Sequence, residues 1–363
     1  MRILTYGLLY NRLSGQDTFL FNMNRNMERC SFDYFVLGDY CLHEERIKKD
    51  GGKLYLVRNY WKNPIGYIAD NYRILKENRS SHDICYFNLF SMVHITPIVL
   101  ARLLNYKIVM HSHNSSLERY WTLHRINRFL FGGMKKCTRL ACSKKAAEFM
   151  YGKGQGRAAT IINNAIEVEK FRFSNDAREK LKRELNIEGK TVFGFVGRLD
   201  PQKNPIFLID IFSEIAKLND DAMFVIVGDG GMRKEVEAKI KEYCLEDKIL
   251  LLGIREDVNL LYSIMDVFIL PSLYEGLPIV LVETQAAGLV SIVSEEAVPK
   301  ETRVEDNYII YKSINLSAAE WARDATNACD KSRDRLEWND RLAKSQFEIK
   351  NEAKRLEEIF LNL

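Results

Sequence analysis

Two cations, about one helical turn apart, stand where a strand pattern gives way to a helix pattern. Gly197, Arg198 and Lys203 lie in the segment Phe-Val-Gly-Arg-Leu-Asp-Pro-Gln-Lys-Asn-Pro. A glycine lets the backbone come close to a ligand, and cations beside the amino end of a helix suit a diphosphate. The alternative is a surface loop with solvated charges, which is the usual fate of a single Arg or Lys.

Two carboxylates, eight positions apart, follow a second predicted strand end. Glu275 precedes Gly276, which can offer its backbone N–H, and Pro278, where a helix would start. Glu283 lies inside the otherwise apolar run Ile-Val-Leu-Val-Glu-Thr, where a carboxylate is costly unless it meets hydrogen-bond donors. Ribose hydroxyls would supply such donors. A surface glutamate paired with a lysine is the alternative, and the apolar neighbours disfavour it.

Two histidines form the third candidate group. His111 and His113 precede Asn-Ser-Ser at the carboxyl end of a predicted strand, where doubly wound sheets bind ligands. A single histidine is more often structural than catalytic. Two histidines without a third ligand do not make a zinc site, and neither the seven cysteines nor the six histidines show metal-ligand spacing. We therefore expect no metal and no other cofactor.

The combination and order of these motifs resemble a known family. Glu275 and Glu283 form an E-x7-E motif. Gly-Arg-Leu lies upstream at residues 197–199, and Val-Gly-Asp-Gly at residues 227–230 lies between that segment and the E-x7-E motif. The chain resembles the retaining, nucleotide-sugar-dependent family-4 glycosyltransferases of bacterial polysaccharide biosynthesis, most strongly from about residue 190 to 295. The resemblance implies GT-B architecture, in which two Rossmann-like doubly wound α/β domains face each other across a cleft. It also implies that C-terminal helices pack back on the N-terminal domain.

The resemblance assigns roles in donor binding. It implies that Arg198 and Lys203 bind the diphosphate of the donor. Glu283 would bind the ribose, and Glu275 would bind the donor sugar together with the amides that follow it. The other donor-site residues that it implies are Gly15, Gly197, Gly228, Asp229, Gly230, Ile254, Gly276, Leu277 and Pro278.

The first half of the chain supplies the remaining catalytic candidates. His113 is the preferred match to a family histidine near the reactive centre, with His111 second, and Glu275 completes the catalytic set. Gly15 is the one residue that carries over from the family's glycine loop after the first strand. Ser14 stands where the family commonly has glycine.

The implied reaction moves a sugar from a nucleoside-diphosphate sugar, a UDP-sugar, to an acceptor hydroxyl. It proceeds with retention and without a metal, and the acceptor is a lipid-linked saccharide in capsular, exopolysaccharide or lipopolysaccharide assembly. Two alternatives are a sugar-nucleotide epimerase or phosphorylase on the same fold, and a catalytically silent, membrane-associated scaffold. The intact Arg198, Lys203, Glu275 and Glu283 argue against the scaffold.

Short β-branched or aromatic runs alternate with helix-length stretches along the chain, which is typical of parallel sheets with crossover helices. Helices are predicted at residues 71–79, 93–105 and 117–131, and further helices over residues 316–363. The predicted strands are residues 3–8, 34–37, 53–57, 84–88, 107–111, 139–142, 159–162, 191–196, 223–227, 249–252, 267–270 and 290–293. The predicted domains are 1–168 for the acceptor, 169–345 for the donor, and a returning helix at 346–363.

The charge of the chain is divided unevenly. The net charge of +4 arises from 25 Lys and Arg against 12 Asp and Glu in residues 1–165, and 28 against 37 in residues 166–363. Residues 119–145 hold eight cations, no acid and several aromatic residues. This pattern suits an anionic membrane surface or the acceptor, and no motif for nucleic acid accompanies it. The alternative is that the aromatic residues are core and the cations a solvated face. The candidate residues are Arg119, Trp121, Arg125, Arg128, Lys135 and Lys136.

Composition favours an ordinary globular protein. The chain has 363 residues, 47% of them hydrophobic, and shows neither a secretory signal pattern nor an apolar run long enough to span a membrane. The odd number of cysteines and the absence of a Cys-x-x-Cys pair favour reduced thiols. We expect a cytoplasmic protein, peripheral on the inner face of the cell membrane.

Overall fold

The computed structural model describes residues 1–9, 15–117, 119–304, 308–329 and 335–363. It divides into two compact units: unit 1 is Met1–Ile166 with Ile349–Leu363, and unit 2 is Glu167–Glu348. Each unit holds one parallel sheet with helices between its strands. Two Rossmann-like α/β domains are thus confirmed. Ser14 lies outside the described residues.

In its described residues, unit 1 is built on seven parallel strands. They are β1 Arg2–Leu8, β2 Ser31–Leu37, β3 Leu54–Val57, β4 Ile84–Leu89, β5 Lys107–Ser112, β6 Cys137–Ala141 and β7 Thr160–Ile161. The helices are α1 Gly15–Asn26, α2 Glu44–Lys49, α3 Pro64–Asn78, α4 Thr96–Leu103, α5 Trp121–Phe131 and α6 Lys144–Gly156. The strand order β3-β2-β1-β4-β5-β6-β7 reverses direction between β1 and β4. Doubly wound sheets bind their ligands at the carboxyl edge beside such a reversal.

Unit 2 repeats this plan with six strands. They are β8 Thr191–Val196, β9 Ala222–Val227, β10 Ile249–Gly253, β11 Val267–Leu270, β12 Val290–Ser294 and β13 Ile309–Lys312. The α-helices are α7 Asn175–Glu184, α8 Pro205–Leu218, α9 Arg233–Glu242, α10 Val258–Ile264, α11 Ile279–Ala286, α12 Ala318–Cys329 and α13 Arg335–Leu342. The order β10-β9-β8-β11-β12-β13 reverses between β8 and β11. Every residue of β9 and β11 is buried, as expected for strands covered on both faces.

The structure corrects several predicted elements. Helix α3 begins at Pro64, well before the predicted residue 71, because the Asn63 side chain accepts the Gly66 N–H and caps it. Helix α4 is shorter than the predicted 93–105, and α5 begins at Trp121 instead of residue 117. Strand β13 was not predicted. It pairs in parallel with β12 at the edge of the sheet.

Only the last helix returns to unit 1. Helix α14, Ile349–Leu361, places Phe360 in the unit 1 core, with its ring centroid 5.1 Å from that of Tyr86. The Ile349 N–H donates to the carbonyl oxygen of Ile166 at 2.9 Å. Helices α12 and α13 belong to unit 2, so the predicted packing of the C-terminal helices on the N-terminal domain holds for α14 alone.

Candidate active site

Two loops adjoin at the carboxyl edge of unit 2, where its strand order reverses. The loop after β8 carries Gly197, Arg198 and Lys203, and the loop after β11 carries Glu275. Since β8 and β11 are paired neighbours, their loops leave the sheet side by side. This edge is where ligands of doubly wound sheets bind.

Close backbone packing explains the glycines of this edge. The Gly197 N–H donates to the carbonyl oxygen of Val227 at 2.9 Å. Gly228 has φ +127°, and a Cβ atom on it would overlap the carbonyl oxygen of Gly197. A Cβ atom on Gly230 would likewise overlap the carbonyl oxygen of Leu199. The loop after β9 therefore lies directly on the loop that holds Arg198, which requires glycine at both positions.

We expect Gly228→Ala to displace the loop that holds Arg198 and to weaken UDP binding about tenfold or more. The new methyl group would occupy the space of the Gly197 carbonyl oxygen, at a φ value that alanine rarely adopts. Gly231→Ala is the matched control, because a Cβ atom there meets nothing within 4 Å. Isothermal calorimetry with UDP measures both. Equal affinity in the two variants would contradict the assignment of this loop to the nucleotide.

A buried ion pair joins the two loops. Lys203 Nζ lies 2.6 Å from Glu275 Oε1, and the side chains are only 13% and 6% exposed. Gln202 adds two hydrogen bonds between the loops. Its side-chain Nε2 donates to the carbonyl oxygen of Tyr274 at 2.9 Å, and its backbone carbonyl oxygen accepts from the Leu273 N–H at 2.8 Å. The ion pair holds Lys203 at the edge of the sheet. An ammonium group has three N–H donors, so Lys203 has donors in addition to the one that is hydrogen-bonded to Glu275.

Arg198 forms an ion pair with an aspartate of its own loop. Its Nη2 lies 2.8 Å from Asp200 Oδ2, and its side chain is 37% exposed. The other carboxylate oxygen of Asp200 accepts the Lys203 N–H at 3.3 Å, which caps the 3-10 turn Pro201–Lys203. One aspartate thus orients both the guanidinium and the turn that carries the lysine.

Glu283 lies on α11 and its carboxylate accepts a hydrogen bond from a tyrosine. Tyr262 Oη donates to Glu283 Oε2 at 2.6 Å. Burial raises the pKa of Glu283 to about 7, and the bond from Tyr262 and the charge of Lys170 lower that pKa only in part. Tyr262 thus supplies one of the hydrogen-bond donors that Glu283 was expected to receive from a bound ribose. The second carboxylate oxygen can still accept a hydrogen bond from a hydroxyl.

A buried arginine fixes the tyrosine that holds Glu283. Arg335 donates to the carbonyl oxygen of Tyr262 at 2.9 Å, of Met265 at 3.0 Å and of Ala287 at 2.9 Å. These carbonyl groups lie at the ends of α10 and α11, where helix carbonyls lack helical partners. Burial lowers the pKa of Arg335 to about 9. Its hydrogen bonds tie the two helices that carry Tyr262 and Glu283.

The other predicted donor residues occupy this edge or its neighbourhood. Asp229 is half exposed, and its Oδ1 accepts the Gly230 N–H at 2.7 Å. Ile254 is 83% exposed and follows β10, whose last carbonyl oxygen, that of Gly253, accepts the Gly228 N–H at 2.7 Å. A further group lies in the loop between β11 and α11, where Pro278 is the residue before the first helical position. The buried members of this group are Gly276, Leu277 and Pro278.

The two histidines lie at the carboxyl edge of unit 1. His113 Nε2 donates to Asn88 Oδ1 at 2.8 Å. Burial lowers the pKa of His113 to about 3, and it lowers the pKa of His111 well below its usual value. The two imidazole rings have their centroids 4.1 Å apart and are tilted by 39°, and His111 Nδ1 lies 2.6 Å from Tyr86 Oη. Both imidazoles are therefore neutral hydrogen-bonding groups at neutral pH.

The start of α1 at Gly15 is hydrogen-bonded to the same edge of the sheet through the next residue. Gly15 is exposed and begins α1, and the next residue, Gln16, donates to the carbonyl oxygens of Gly7 at 2.9 Å and Asn88 at 3.1 Å. Gly7 has φ +111°, and a Cβ atom there would overlap the Asn88 carbonyl oxygen. These residues flank the point where the strand order of unit 1 reverses.

Helix α14 reaches this edge through Glu352. This side chain is 1% exposed and accepts from the Asn163 backbone N–H at 2.8 Å and from Asn163 Nδ2 at 2.7 Å. Arg355 Nη1 lies 2.7 Å from its other oxygen. The last helix thus anchors Asn163, in the segment that follows β7.

The basic stretch at residues 119–145 exposes its aromatic residues. Tyr120 is 53%, Trp121 42% and Phe129 88% exposed, so the alternative in which they are core is wrong. Arg128 donates to the carbonyl oxygen of Phe149 at 3.1 Å and is half-buried. The exposed candidate cations are Arg119, Arg125, Lys135 and Lys136.

The described residues hold neither a metal-ligand cluster nor a helix able to span a membrane. They contain no group of three or more His, Cys, Asp or Glu arranged to hold a metal ion. Among the same residues, each helix is too short or too polar to cross a bilayer.

Sequence reasoning missed several residues of these edges. Gln202 and Tyr262 in unit 2, and Asn88 in unit 1, act through partners that are distant in the chain. The positions of Gln202 in the loop that follows β8 and of Asn88 at the end of β4 were a usable signal. Tyr262 lies within a helix, where the sequence offers no such signal.

A doubly wound unit with paired cations and an E-x7-E pair at its strand reversal fits the glycosyltransferase class that the motifs resemble. Residues 177–342 match the family described as "Glycosyl transferases group 1". The chain is 30% identical over 298 residues to the putative glycosyltransferase EpsF of Bacillus subtilis, which covers 79% of this chain and 77% of EpsF. The chain belongs to this glycosyltransferase family.

Two further proteins are similar to this chain. One is the Escherichia coli UDP-Gal:alpha-D-GlcNAc-diphosphoundecaprenol alpha-1,3-galactosyltransferase, which is 37% identical over 139 residues, covering 37% of this chain and 36% of that enzyme. The other is the crystal structure of Anabaena HepE in complex with UDP and glucose, with a TM-score of 0.85, 18% identity and complete coverage of both chains. The likeness to HepE concerns the fold.

Proposed function

We propose that this glycosyltransferase moves a sugar from a UDP-sugar to a hydroxyl of a lipid-linked saccharide, with retention of configuration. The reaction belongs to the assembly of a capsule, an exopolysaccharide or a lipopolysaccharide. The buried pair of Lys203 and Glu275 at the strand reversal of unit 2 carries the proposal, because it places an oriented cation where doubly wound units bind phosphates. The UDP complex of HepE and the UDP-Gal in the name of the E. coli relative favour a uridine donor.

The leaving nucleotide must be stabilised as the glycosidic bond lengthens. Arg198 and Lys203 would bind the two phosphates, and fixed cations lower the energy of the developing charge without reorganisation. Glu283 would accept from the ribose hydroxyls, and Glu275 would orient both Lys203 and the donor sugar. We propose that the departing phosphate takes the proton of the attacking hydroxyl, so that no carboxylate nucleophile is needed.

The acceptor belongs to unit 1 in this proposal. His113 is neutral and buried at its carboxyl edge, and its Nε2 donates to Asn88, so its Nδ1 could accept a hydrogen bond from a sugar hydroxyl without adding charge. The diphosphoundecaprenol in the name of the E. coli relative supports a lipid-linked acceptor. A peripheral position on the cytoplasmic face of the membrane accords with such an acceptor.

A panel of UDP-, GDP- and ADP-sugars tests the proposal. We expect a UDP-sugar to bind, and nucleotide release to require a polyprenyl-diphosphate-linked N-acetylglucosamine or another lipid-linked saccharide. Nuclear magnetic resonance of the product should show the anomeric configuration of the donor, and EDTA should leave the rate unchanged. Isomerisation of the donor alone would point to an epimerase, and binding without any transfer would point to the scaffold.

A further inference from the structure

Helix α5 in unit 1 has its polar side buried and its apolar side in solvent. His124 is fully buried, with Nδ1 accepting the Met92 N–H at 3.1 Å and Nε2 lying 3.2 Å from the carbonyl oxygen of Phe149. Asn127, one turn further, is also buried and donates to the Met92 carbonyl oxygen at 2.8 Å. Ordinary surface helices have the opposite orientation.

The outward face of α5 consists of large apolar residues at helical spacing. Phe129 is 88% and Leu130 60% exposed, and three further residues of the helix are at least 42% exposed. Those three are Trp121, Leu123 and Ile126. A contiguous apolar face of this kind is rarely left to water, and it indicates a partner surface.

A second helix extends this face. Trp61, 60% exposed, lies just before α3, and its ring centroid is 5.6 Å from that of Tyr120, the residue before α5. The first turns of α3 continue outward with Ile65 at 80% and Ile68 at 47% exposure. We call the exposed apolar residues of α5, of the start of α3 and the Trp61–Tyr120 contact the docking surface.

The charge around the docking surface selects the partner. Residues 119–145 hold eight cations and no acid. Within the described part of the chain, Arg125, Lys135 and Lys136 have no carboxylate partner, so their charge is not neutralised internally. Cations around exposed Trp, Tyr and Phe match the headgroup region of an anionic bilayer, where aromatic rings sit at the interface.

We propose that the docking surface inserts into the headgroup region of an anionic bilayer, with α5 lying in the plane of the membrane. Eleven residues are too short to span a bilayer, and an amphipathic helix with cations beside an aromatic face binds in the interfacial plane instead. The proposal rests on the proposed function in one respect, since a lipid-linked acceptor is presented at that surface.

Flotation with vesicles of phosphatidylethanolamine and phosphatidylglycerol tests the apolar part. We expect Phe129→Ser with Leu130→Ser to reduce vesicle binding about tenfold or more, because both side chains leave the interface. Leu103→Ser is the matched control, since this leucine of unit 1 is 72% exposed but lies outside the docking surface. Equal loss in the control, or none in the double variant, would overturn the proposal.

The same vesicles test the charge. Arg125→Gln, Lys135→Gln and Lys136→Gln together should reduce binding about tenfold or more, and high salt should reduce wild-type binding. The charge-matched control replaces three exposed lysines of unit 1 elsewhere, Lys49, Lys107 and Lys153, by Gln. Equal loss in both triple variants would show an attraction by net charge alone and would overturn the assignment to this surface.

Two further readouts separate the competing explanations. UDP affinity should be unchanged in every variant, which shows that the fold of unit 2 is intact. The wild-type protein could fail to bind vesicles while Phe129→Ser with Leu130→Ser converts a dimer into a monomer. In that case the surface joins two copies of the chain, and the bilayer proposal fails. If the protein binds vesicles but neither UDP nor a UDP-sugar, the proposed function fails while the docking surface stands.

Discussion

Replacing Arg198 and Lys203 together by alanine is expected to reduce sugar transfer about a thousandfold or more. Both cations lie on one loop at the strand reversal of unit 2, and Lys203 is held there by Glu275 at 2.6 Å. Losing the charge that stabilises the leaving diphosphate costs about 4 kcal/mol in the transition state, which corresponds to that factor. Nucleotide release in the presence of the acceptor measures the rate.

Controls must separate catalysis from folding, because Lys203→Ala leaves Glu275 buried without its cation. Lys241→Ala, on the exposed face of α9, removes a charge from unit 2 away from the loop and should leave the rate unchanged. Arg198→Ala alone removes a 37% exposed side chain and should fold normally while losing about tenfold or more in rate. Normal turnover in the double variant would refute the phosphate assignment.

UDP affinity should rise about tenfold between about pH 6 and pH 8, because Glu283 ionises in this range. Burial raises the pKa of its carboxyl to about 7, and the ionised form is the better acceptor for ribose hydroxyls. Binding should therefore favour the carboxylate and release a proton below pH 7. Calorimetry in buffers of different ionisation enthalpy measures that proton.

Glu283→Gln supplies the control for this pH dependence. The amide oxygen can still accept from Tyr262 Oη, so the fold should persist, while the protonation step is removed. The phosphate of UDP titrates equally in both proteins, and the difference between them reports Glu283. An identical pH profile in wild type and variant would show that the carboxyl does not meet the nucleotide.

The same shift affects folding with a defined sign. The pKa of Glu283 in the folded state lies above its ordinary value of 4.5, so the native state binds more protons than the unfolded state between these two pH values. Its contribution makes wild-type stability fall as the pH rises from about 4.5 to 7, and Glu283→Gln should lack this slope. Urea unfolding across this range checks the sign.

Local pattern was enough for the fold class and for locating the residues that are proposed to bind the donor. Alternating strand and helix patterns identified twelve of the strands of the described chain, because parallel strands covered on both faces are continuous apolar runs. Arg198, Lys203, Glu275 and Glu283 were found because motif spacing near strand ends is a property of the sequence itself. Strand β13, which pairs with β12 at the edge of the sheet, was missed.

By itself, therefore, the sequence determined a chain of two doubly wound domains with cations and carboxylates at strand ends. Only the tertiary structure decided which groups meet: Lys203 with Glu275, Tyr262 with Glu283, and Asn88 with His113. It also decided that the aromatic side of α5 faces outward, where periodicity alone allowed either side to be buried. The reason is physical, because hydrogen bonds and burial depend on neighbours far away in the chain, and a spacing pattern records none of them.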